Sequence, residues 1–240
     1  MQWAILSGIT GNLAAYEAVL KDIQRHQVDD IYILGDLVGP TATSEALVQR
    51  VQKPRRGELA PQVCLGWWEE QCLTLHAQGK TTEPIELVEK YGAEMVKNLW
   101  DAVSRKTVGW IRSLDFGFME LDCLLTHGSS VGVEDELRPD TSPLIMFDRL
   151  GRLDANYLFC GRSGLQFKYQ IADAASTSTV VTLDSMAPPI VHKTSRKFVI
   201  GVGSVGLNPN KASYTLYHPN SGQIQFREVS YGWGKGFGER

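Results

Sequence analysis

The sequence QWAILSGITGN at residues 2–12 joins an apolar run, a glycine turn and a helix cap. The apolar run 2–7 is short and ends at Gly8, which predicts a buried strand. Asn12 is a favourable N-cap residue, and apolar side chains follow it at helical spacing. The stretch therefore predicts a strand, a tight loop and a helix, which is the first step of an α/β fold.

The same pattern recurs farther along the chain. A second apolar run, 30–34, comes just before Asp36 and is followed by an amphipathic helical segment at about 44–52. A third run, 62–65, ends at Gly66. In open α/β sheets, ligands bind beyond the carboxyl ends of the strands. We therefore expect a functional site in the loops that follow these three strands.

The middle of the chain has a different hydrophobic pattern. Residues 67–113 carry apolar side chains mostly at helical spacing and predict a mainly helical insert. Strand signals return at 116–126, a helix is expected around 143–151, and the apolar segment 156–160 predicts another strand.

From residue 165 onward the pattern indicates short alternating strands and antiparallel structure. Asn220-Ser221-Gly222 is typical of a hairpin turn. The chain has no internal repeat and no long linker, so we expect one domain over residues 1–240. It ends in a tail at 231–240 that alternates glycine with aromatic residues, which could be an interaction segment or a strand with a trailing end.

Composition and charge exclude several classes of protein. The 240 residues include 24 Lys+Arg and 27 Asp+Glu, a net charge of -3, and 43% are hydrophobic. Such a chain can form a substantial core, which excludes intrinsic disorder. Mixed charges without a broad cationic surface argue against a nucleic-acid partner. The basic run at 53–56 is short and contains proline, so it is interpreted as a solvated surface turn.

The cysteines and the hydropathy pattern indicate a cytoplasmic protein. Cys64, Cys72, Cys123 and Cys160 show no C-x-x-C spacing and lie in or beside apolar runs, which favours reduced core thiols. No basic leader precedes the first strand, and no apolar run approaches the length of a transmembrane helix. No membrane partner is expected.

The order of the loops resembles the calcineurin-like metallophosphoesterases, especially the small bacterial phosphoesterases of that family. The family carries D-x-H-G-N, G-D, G-N-H-D/E, an H-G-S-P-like loop, G-H-x-H and N-P-G-S-V-G. The corresponding segments here are GITGN at 8–12, GD at 35–36, GWWE at 66–69, HGSS at 127–130, GRSG at 161–164 and GSVG at 203–206. The resemblance covers nearly the whole chain and implies a four-layer α/β/β/α sandwich of the metallophosphoesterase type.

The resemblance also implies that the first metal site is substituted. In the family, the Asp and His of the first motif, the bridging Asp of G-D and the second His of G-H-x-H hold this metal. The matching positions are Gly8, Thr10, Asp36 and Gly164. Only the bridging Asp36 is retained, together with Asn12 at the end of the first motif.

The second metal site is substituted in the same way. The family's ligands fall at Asp36, Trp67, His127 and Arg162, and its general-acid histidine falls at Trp68. An indole cannot transfer a proton at neutral pH. Two metal ions that bridge phosphate oxygens need a dense set of carboxylate and imidazole ligands. Asp36 and His127 alone do not supply it, so no resident metal is expected.

The substitutions suggest how the former metal site is filled. We expect the Arg162 guanidinium to pair with Asp36 as a fixed replacement cation. Trp67 and Trp68 are large enough to plug the pocket together, or one of them faces the core instead. The favoured role for His127 is a hydrogen bond to a nearby carbonyl or to Asp36.

Two further residue groups flank this position. The loop from Gly8 to Gly11 leads into a helix N-terminus and could offer N–H groups to an anion. Together with Arg162 and His127 it would form an anion or nucleotide pocket. Glu69 is interpreted as an exposed or capping carboxylate at a helix start.

Three functions remain open from the sequence. The first is a non-catalytic binding or regulatory protein for a small anion or a nucleotide, with Asn12, Asp36, His127 and Arg162 as candidate ligand-binding residues. The second is a weak phosphoesterase with one Mn, Fe or Zn ion held by Asp36 and His127, which Glu69 or substrate phosphate could complete. The third is a structural subunit that binds a protein partner or a second copy of itself.

Overall fold

The apolar runs of the sequence form the strands of two mixed five-stranded sheets in the computed structural model. The structure describes residues 1–77, 85–152, 155–171 and 197–232. The predicted tail at 231–240 lies outside the described residues from position 233 onward.

The strands are, in chain order, β1 (Trp3–Leu6), β2 (Asp30–Leu34), β3 (Gln62–Cys64), β4 (Gly117–Glu120), β5 (Cys123–Thr126), β6 (Tyr157–Cys160), β7 (Gln166–Ile171), β8 (Lys197–Val202), β9 (Lys211–His218) and β10 (Gln223–Ser230). The helices are α1 (Leu13–Ile23), α2 (Ser44–Gln52), α3 (Trp67–Leu75), α4 (Ile85–Tyr91), α5 (Ala93–Asp101), α6 (Arg105–Ile111) and α7 (Pro143–Gly151). The predicted helices at 44–52 and 143–151 and the helical nature of 67–113 are confirmed in the described residues.

The first sheet has the strand order β10-β9-β1-β2-β3. Strands β1, β2 and β3 run parallel, as their alternation with helices predicts. Strand β9 pairs antiparallel with β1, so that Trp3 faces Tyr217 across the ladder. The hairpin predicted at Asn220-Ser221-Gly222 connects β9 to β10, and Gly222 adopts a positive φ of 65° in its turn.

The second sheet has the order β4-β5-β6-β8-β7. The strand signals at 116–126 correspond to two strands in a hairpin, because Leu121 turns the chain at a φ of 55° between β4 and β5. The antiparallel structure expected after residue 165 is only partly correct, since β8 pairs parallel with β6 and antiparallel with β7.

Three apolar layers hold these elements together. The two sheets pack face to face through a core that includes Ile5, Leu34, Leu125, Phe159 and Tyr217. Helices α1, α2, α3, α5 and α6 cover the outer face of the first sheet, and α7 covers the outer face of the second. Each fully buried Leu, Ile or Phe contributes roughly 1.5–3 kcal/mol. The predicted four-layer α/β/β/α sandwich is confirmed.

Among the described residues, the structure holds no helix with the length and apolar character needed to cross a membrane.

Candidate functional site

Six loops meet at one edge of the two sheets. Gly8 N donates to Gly35 O at 3.2 Å, which joins the loops after β1 and β2. His127 Nδ1 lies 2.8 Å from Leu34 O, which connects the second sheet to the first. Gly161 N donates to His127 O at 2.8 Å. The loop after β8 joins this edge through Val205 N, which donates to Ser7 O at 2.9 Å, and the loop after β3 joins it through Asp36, as described next.

Asp36 lies at the centre of this edge and is almost fully buried. Its Oδ1 accepts the backbone N–H of Trp68 at 2.8 Å. Its Oδ2 lies 3.4 Å from His127 Nε2 and 3.9 Å from Arg162 Nη1. The predicted pairing of Arg162 with Asp36 is therefore present, and the carboxylate lies between an imidazole and a guanidinium.

The backbone at Asp36 and Thr10 is strained. Both residues have positive φ angles, 51° and 49°, although neither is glycine. Such conformations cost on the order of 1–3 kcal/mol each and cluster at functional sites. Gly35 is also required here, because a Cβ on it would lie 2.3 Å from Gly66 Cα.

His127 is fully buried and its two nitrogens have different surroundings. A carbonyl oxygen only accepts hydrogen bonds, so the Nδ1 that faces Leu34 O carries a hydrogen. This contact matches the role predicted for His127. Its Nε2 faces Asp36 and has no hydrogen-bond partner among the described residues.

Glu69 has a role that the sequence analysis missed in part. Its Oε2 accepts the N–H groups of Asp36 at 2.7 Å and Gly66 at 2.9 Å, and its Oε1 accepts that of Val38 at 2.9 Å. Of the two predicted alternatives for Glu69, an exposed or a capping carboxylate, the structure shows the capping one, and Glu69 is fully buried. Glu69 follows Gly66 at the spacing of a capping box, and this spacing is the feature of the sequence that predicts the contact between them.

Burial raises the pKa of the Glu69 carboxyl to about 8, and the nearby Asp36 carboxylate adds to this shift. Hydrogen bonds from the Val38 and Asp36 amides act in the opposite direction, because they stabilise the ionised form. Both oxygens of Glu69 are occupied by backbone groups, so Glu69 does not complete a metal site with Asp36 and His127.

Trp67 and Trp68 take different positions, which matches the alternative that one of them faces the core. The Arg162 guanidinium carbon lies 4.7 Å from the centre of the Trp67 ring, whereas Trp68 packs against the core beneath the first sheet. Tyr91 contacts both indoles, and Lys90 Nζ lies 5.6 Å from the Trp67 ring. Trp67 is thus enclosed by two cations and two aromatic rings.

The amides of the first loop are bonded within the protein, which corrects the anion site expected there. The N–H groups of Gly8, Thr10, Gly11 and Asn12 all donate to backbone carbonyls. The Asn12 side chain is also engaged: Oδ1 accepts the N–H of Ala15 as the cap of α1, and Nδ2 donates to Tyr231 Oη at 2.8 Å.

The space around two substituted positions is filled as well. Gly8 has a φ of 59°, and a Cβ on it would lie 2.7 Å from Ser204 Oγ. Gly164 has a φ of 66°, and a Cβ there would contact Leu207. A side chain at either position would therefore require a strained backbone conformation. At position 8 it would also clash with Ser204.

The donor set does not fit a di-metal centre. In the part of the chain that the structure describes, there is no group of three or more His, Cys, Asp or Glu residues that could hold a metal ion. Asp36 and His127 each bring an atom suited to a metal to this edge, and the positive charge of Arg162 lies beside Asp36. A fixed cation at this distance repels a dication.

The fold is similar to solved phosphatase structures. A metallophosphoesterase from Sphaerobacter thermophilus shares 22% identity with a TM-score of 0.68, over 96% of this chain and 89% of that chain. A variant of a cold-active protein tyrosine phosphatase has a TM-score of 0.50 at 13% identity, over 94% of this chain and 80% of that chain. No protein-family model and no curated protein matches the chain. The chain has the fold of the calcineurin-like metallophosphoesterases.

Proposed function

From this fold and this edge, we propose that the protein is a non-catalytic binding or regulatory protein in which an internal ion pair replaces the di-metal centre. The observation that carries the proposal is the position of Arg162. Its guanidinium lies 3.9 Å from Asp36 Oδ2 and stacks over the Trp67 ring at 4.7 Å. Stacking and ion pairing favour arginine at such a site because its flat cation serves both contacts.

The proposed ligand of this edge is a small anion or a nucleotide phosphate. Arg162 Nε is buried and has no hydrogen-bond partner among the described residues, while 17% of the Arg162 side chain is exposed. An anion oxygen that reaches Nε would satisfy this donor. Because the amides around Gly8 and the Asn12 side chain are bonded within the protein, binding would depend on Arg162, which pairs with Asp36 beside His127.

A second candidate function is a weak phosphoesterase that holds one Mn, Fe or Zn ion. The observation in its favour is His127 Nε2, which is buried, lacks a hydrogen-bond partner in the described chain and lies 3.4 Å from Asp36 Oδ2. Under this alternative, Asp36 and His127 would share the metal, and Arg162 would have to move aside.

A third candidate is a structural subunit with a protein partner or a second copy of the chain. It is supported by the exposed apolar side chains on α7, where Leu144 is 81% and Phe147 is 53% exposed. All three proposals include a cytoplasmic location, which is supported by the four buried cysteines that carry free thiols.

Metal content and hydrolysis distinguish the first two candidates. The purified protein and Asp36→Asn are analysed for Mn, Fe and Zn and assayed with bis(p-nitrophenyl) phosphate in the presence of Mn²⁺. We expect substoichiometric metal and no hydrolysis that depends on Asp36. A stoichiometric metal with hydrolysis lost in Asp36→Asn would establish the phosphoesterase instead.

Ligand binding is tested by thermal unfolding with phosphate, pyrophosphate and a panel of nucleotides. A ligand at about one hundred times its Kd stabilises the folded state by about 2.7 kcal/mol. We expect such a shift to disappear in Arg162→Ala and to persist in Arg152→Ala, an arginine that is half exposed and pairs with Asp148. A panel without any shift, together with a dimer in light scattering, would support the structural subunit.

A further inference from the structure

A cavity of about 650 Å³ lies away from the candidate site. It is formed by the C-terminal end of α2, the start of β3 and one side of α6. Small-molecule sites in proteins occupy about 300–1,000 Å³, so its size suits a ligand of the dimensions of a nucleotide. The side chains that matter for its chemistry are Val51, Val63, Trp110, Lys53, Lys106 and Gln49.

The inner surface of this cavity is apolar and aromatic. Val51 is buried, and Val63 and Trp110 are partly buried against the core beneath the first sheet. An indole on a cavity wall offers a flat face on which a planar ring can stack. Gln49 and Gln52 add amide groups that can form hydrogen bonds with the edge of such a ring.

The rim of the cavity is cationic. Lys53 and Lys106 are exposed, and neither forms an ion pair within the described ranges. The nearby Arg50 and Arg55 differ, because Glu17 and Glu58 neutralise them. The basic run at 53–56 is thus divided: Arg55 is neutralised, whereas Lys53 contributes its charge to the cavity.

The acidic residue on this wall is Glu45, which burial disfavours as an ion but which hydrogen bonds keep ionised with a lowered pKa, so one negative charge accompanies the two lysines. Its carboxylate accepts the N–H and the hydroxyl of Ser104, at 2.8 Å and 3.1 Å, and the amide of Gln49 at 3.2 Å. Hydrogen bonds occupy both of its oxygens. The two lysines are the charged groups of the lining without such partners in the described structure.

We propose that this cavity binds a planar aromatic group linked to a phosphate, as in a mononucleotide. A phosphate monoester carries about -1.5 to -2 charge at pH 7, and the amines of Lys53 and Lys106 are the lining groups that can pair with it. The ring stacks on Trp110, and the floor of Val51 and Val63 excludes water beneath it. This site is independent of Asp36, His127 and Arg162.

The test uses adenosine monophosphate as the probe, with adenosine and inorganic phosphate as its two halves. Binding is measured by titration calorimetry, and the position of the probe is followed by the indole N–H signal of Trp110 in NMR spectra. We expect adenosine monophosphate to bind at least about tenfold more tightly than either half, because ring and phosphate use separate contacts. The Trp110 signal shifts during this titration.

Surface variants keep the test independent of folding. Lys53→Gln and Lys106→Gln each weaken binding by about tenfold or more, as loss of a charge-assisted contact predicts. Lys21→Gln, an exposed lysine on α1, leaves binding unchanged. Equal affinity in all three variants overturns the proposal, and so does an absence of binding to the wild type. Binding that is lost in Arg162→Ala but kept in both cavity variants places the probe at the candidate site and also overturns it.

Discussion

The Glu69 carboxylate accepts the backbone N–H of Asp36, with 2.7 Å between Asp36 N and Glu69 Oε2. The same side chain receives the amides of Val38 and Gly66. One buried carboxylate therefore joins the loop after β2 to the loop after β3. It fixes the backbone of Asp36 at a positive φ, and so it positions the carboxylate that contacts His127 and Arg162.

Replacement of this carboxylate is expected to loosen both loops. Glu69→Gln exchanges one acceptor oxygen for an NH₂ group, which leaves at least one buried amide N–H without an acceptor. Such a group costs about 1–3 kcal/mol, and we expect the free energy of unfolding in urea to fall by about this amount. Glu94→Gln, at an exposed position in α5, should change it only slightly. Wild-type stability in Glu69→Gln would contradict the role given to this carboxylate.

Arg162 and Trp67 are expected to be coupled energetically. The guanidinium over the indole predicts an interaction of about 0.5–2 kcal/mol. Arg162→Ala, Trp67→Leu and the double variant form a cycle that isolates this term in urea unfolding. The matching cycle with Arg152→Ala in place of Arg162→Ala should give a coupling close to zero. Additive effects in the first cycle would show that the stacking contributes nothing to stability.

Ser204 is expected to block any side chain at position 8. Gly8→Ala places a Cβ 2.7 Å from Ser204 Oγ on backbone with a φ of 59°. Gly57→Ala is the matched control, since Gly57 has a φ of 85° and a Cβ there meets no atom within 4 Å. Both variants carry the strain of the left-handed region, about 1–2 kcal/mol, but only Gly8→Ala adds the clash.

The clash at position 8 can be relieved in the same protein. Ser204→Gly removes the opposing hydroxyl and Cβ, so Gly8→Ala should destabilise this background less than the wild type, by at least about 0.5 kcal/mol. The Gly57→Ala cost should be the same in both backgrounds. Equal costs of Gly8→Ala in both backgrounds would exclude Ser204 as the obstacle.

Acid is expected to destabilise the protein in part through Asp22. Burial disfavours the ionised form of Asp22, but hydrogen bonds from Tyr214 and Arg227 outweigh burial and hold the pKa of this carboxyl below its ordinary value. A group with a lowered pKa in the folded state contributes stability above its unfolded pKa of about 3.9. This contribution is lost as the pH falls through the lower pKa of the folded state.

Asp22→Asn tests this dependence. The difference in unfolding free energy between wild type and Asp22→Asn should be largest near neutral pH and should shrink as the pH falls below about 4. Asp140→Asn, whose side chain is 84% exposed, should show no such trend. A difference that stays constant with pH would contradict the assignment.

The meeting of Asp36, His127 and Arg162 could be predicted only from the resemblance of their loop motifs to those of a known family. Asp36 follows a strand of the first sheet, whereas His127 and Arg162 follow strands of the second, so strand order alone does not bring them together. The cap of α1 by Asn12, in contrast, could be predicted from the local sequence, since it depends only on neighbouring residues.

The roles of Glu69 and of the first loop depend on distant partners. Two of the amides that donate to Glu69 belong to the loop after β2. The carbonyls that accept the Thr10 and Gly11 amides belong to the same loop. The residues next to Glu69 and those of the first loop do not predict that the loop after β2 lies against them. Short segments predict a free helix start and an exposed or capping carboxylate; the packing of the two loops occupies the amides of the first and buries the second.

The pairing of Trp3 with Tyr217 has a consequence for biosynthesis. On the ribosome, β1 is made before β9, and one of its edges stays without a partner until β9 has been translated. The bonds from Val205 to Ser7 and from Gly206 to Gly8 form equally late. A nascent chain that stalls before β9 therefore presents an open apolar strand, the kind of edge that chaperones and aggregating chains compete to occupy.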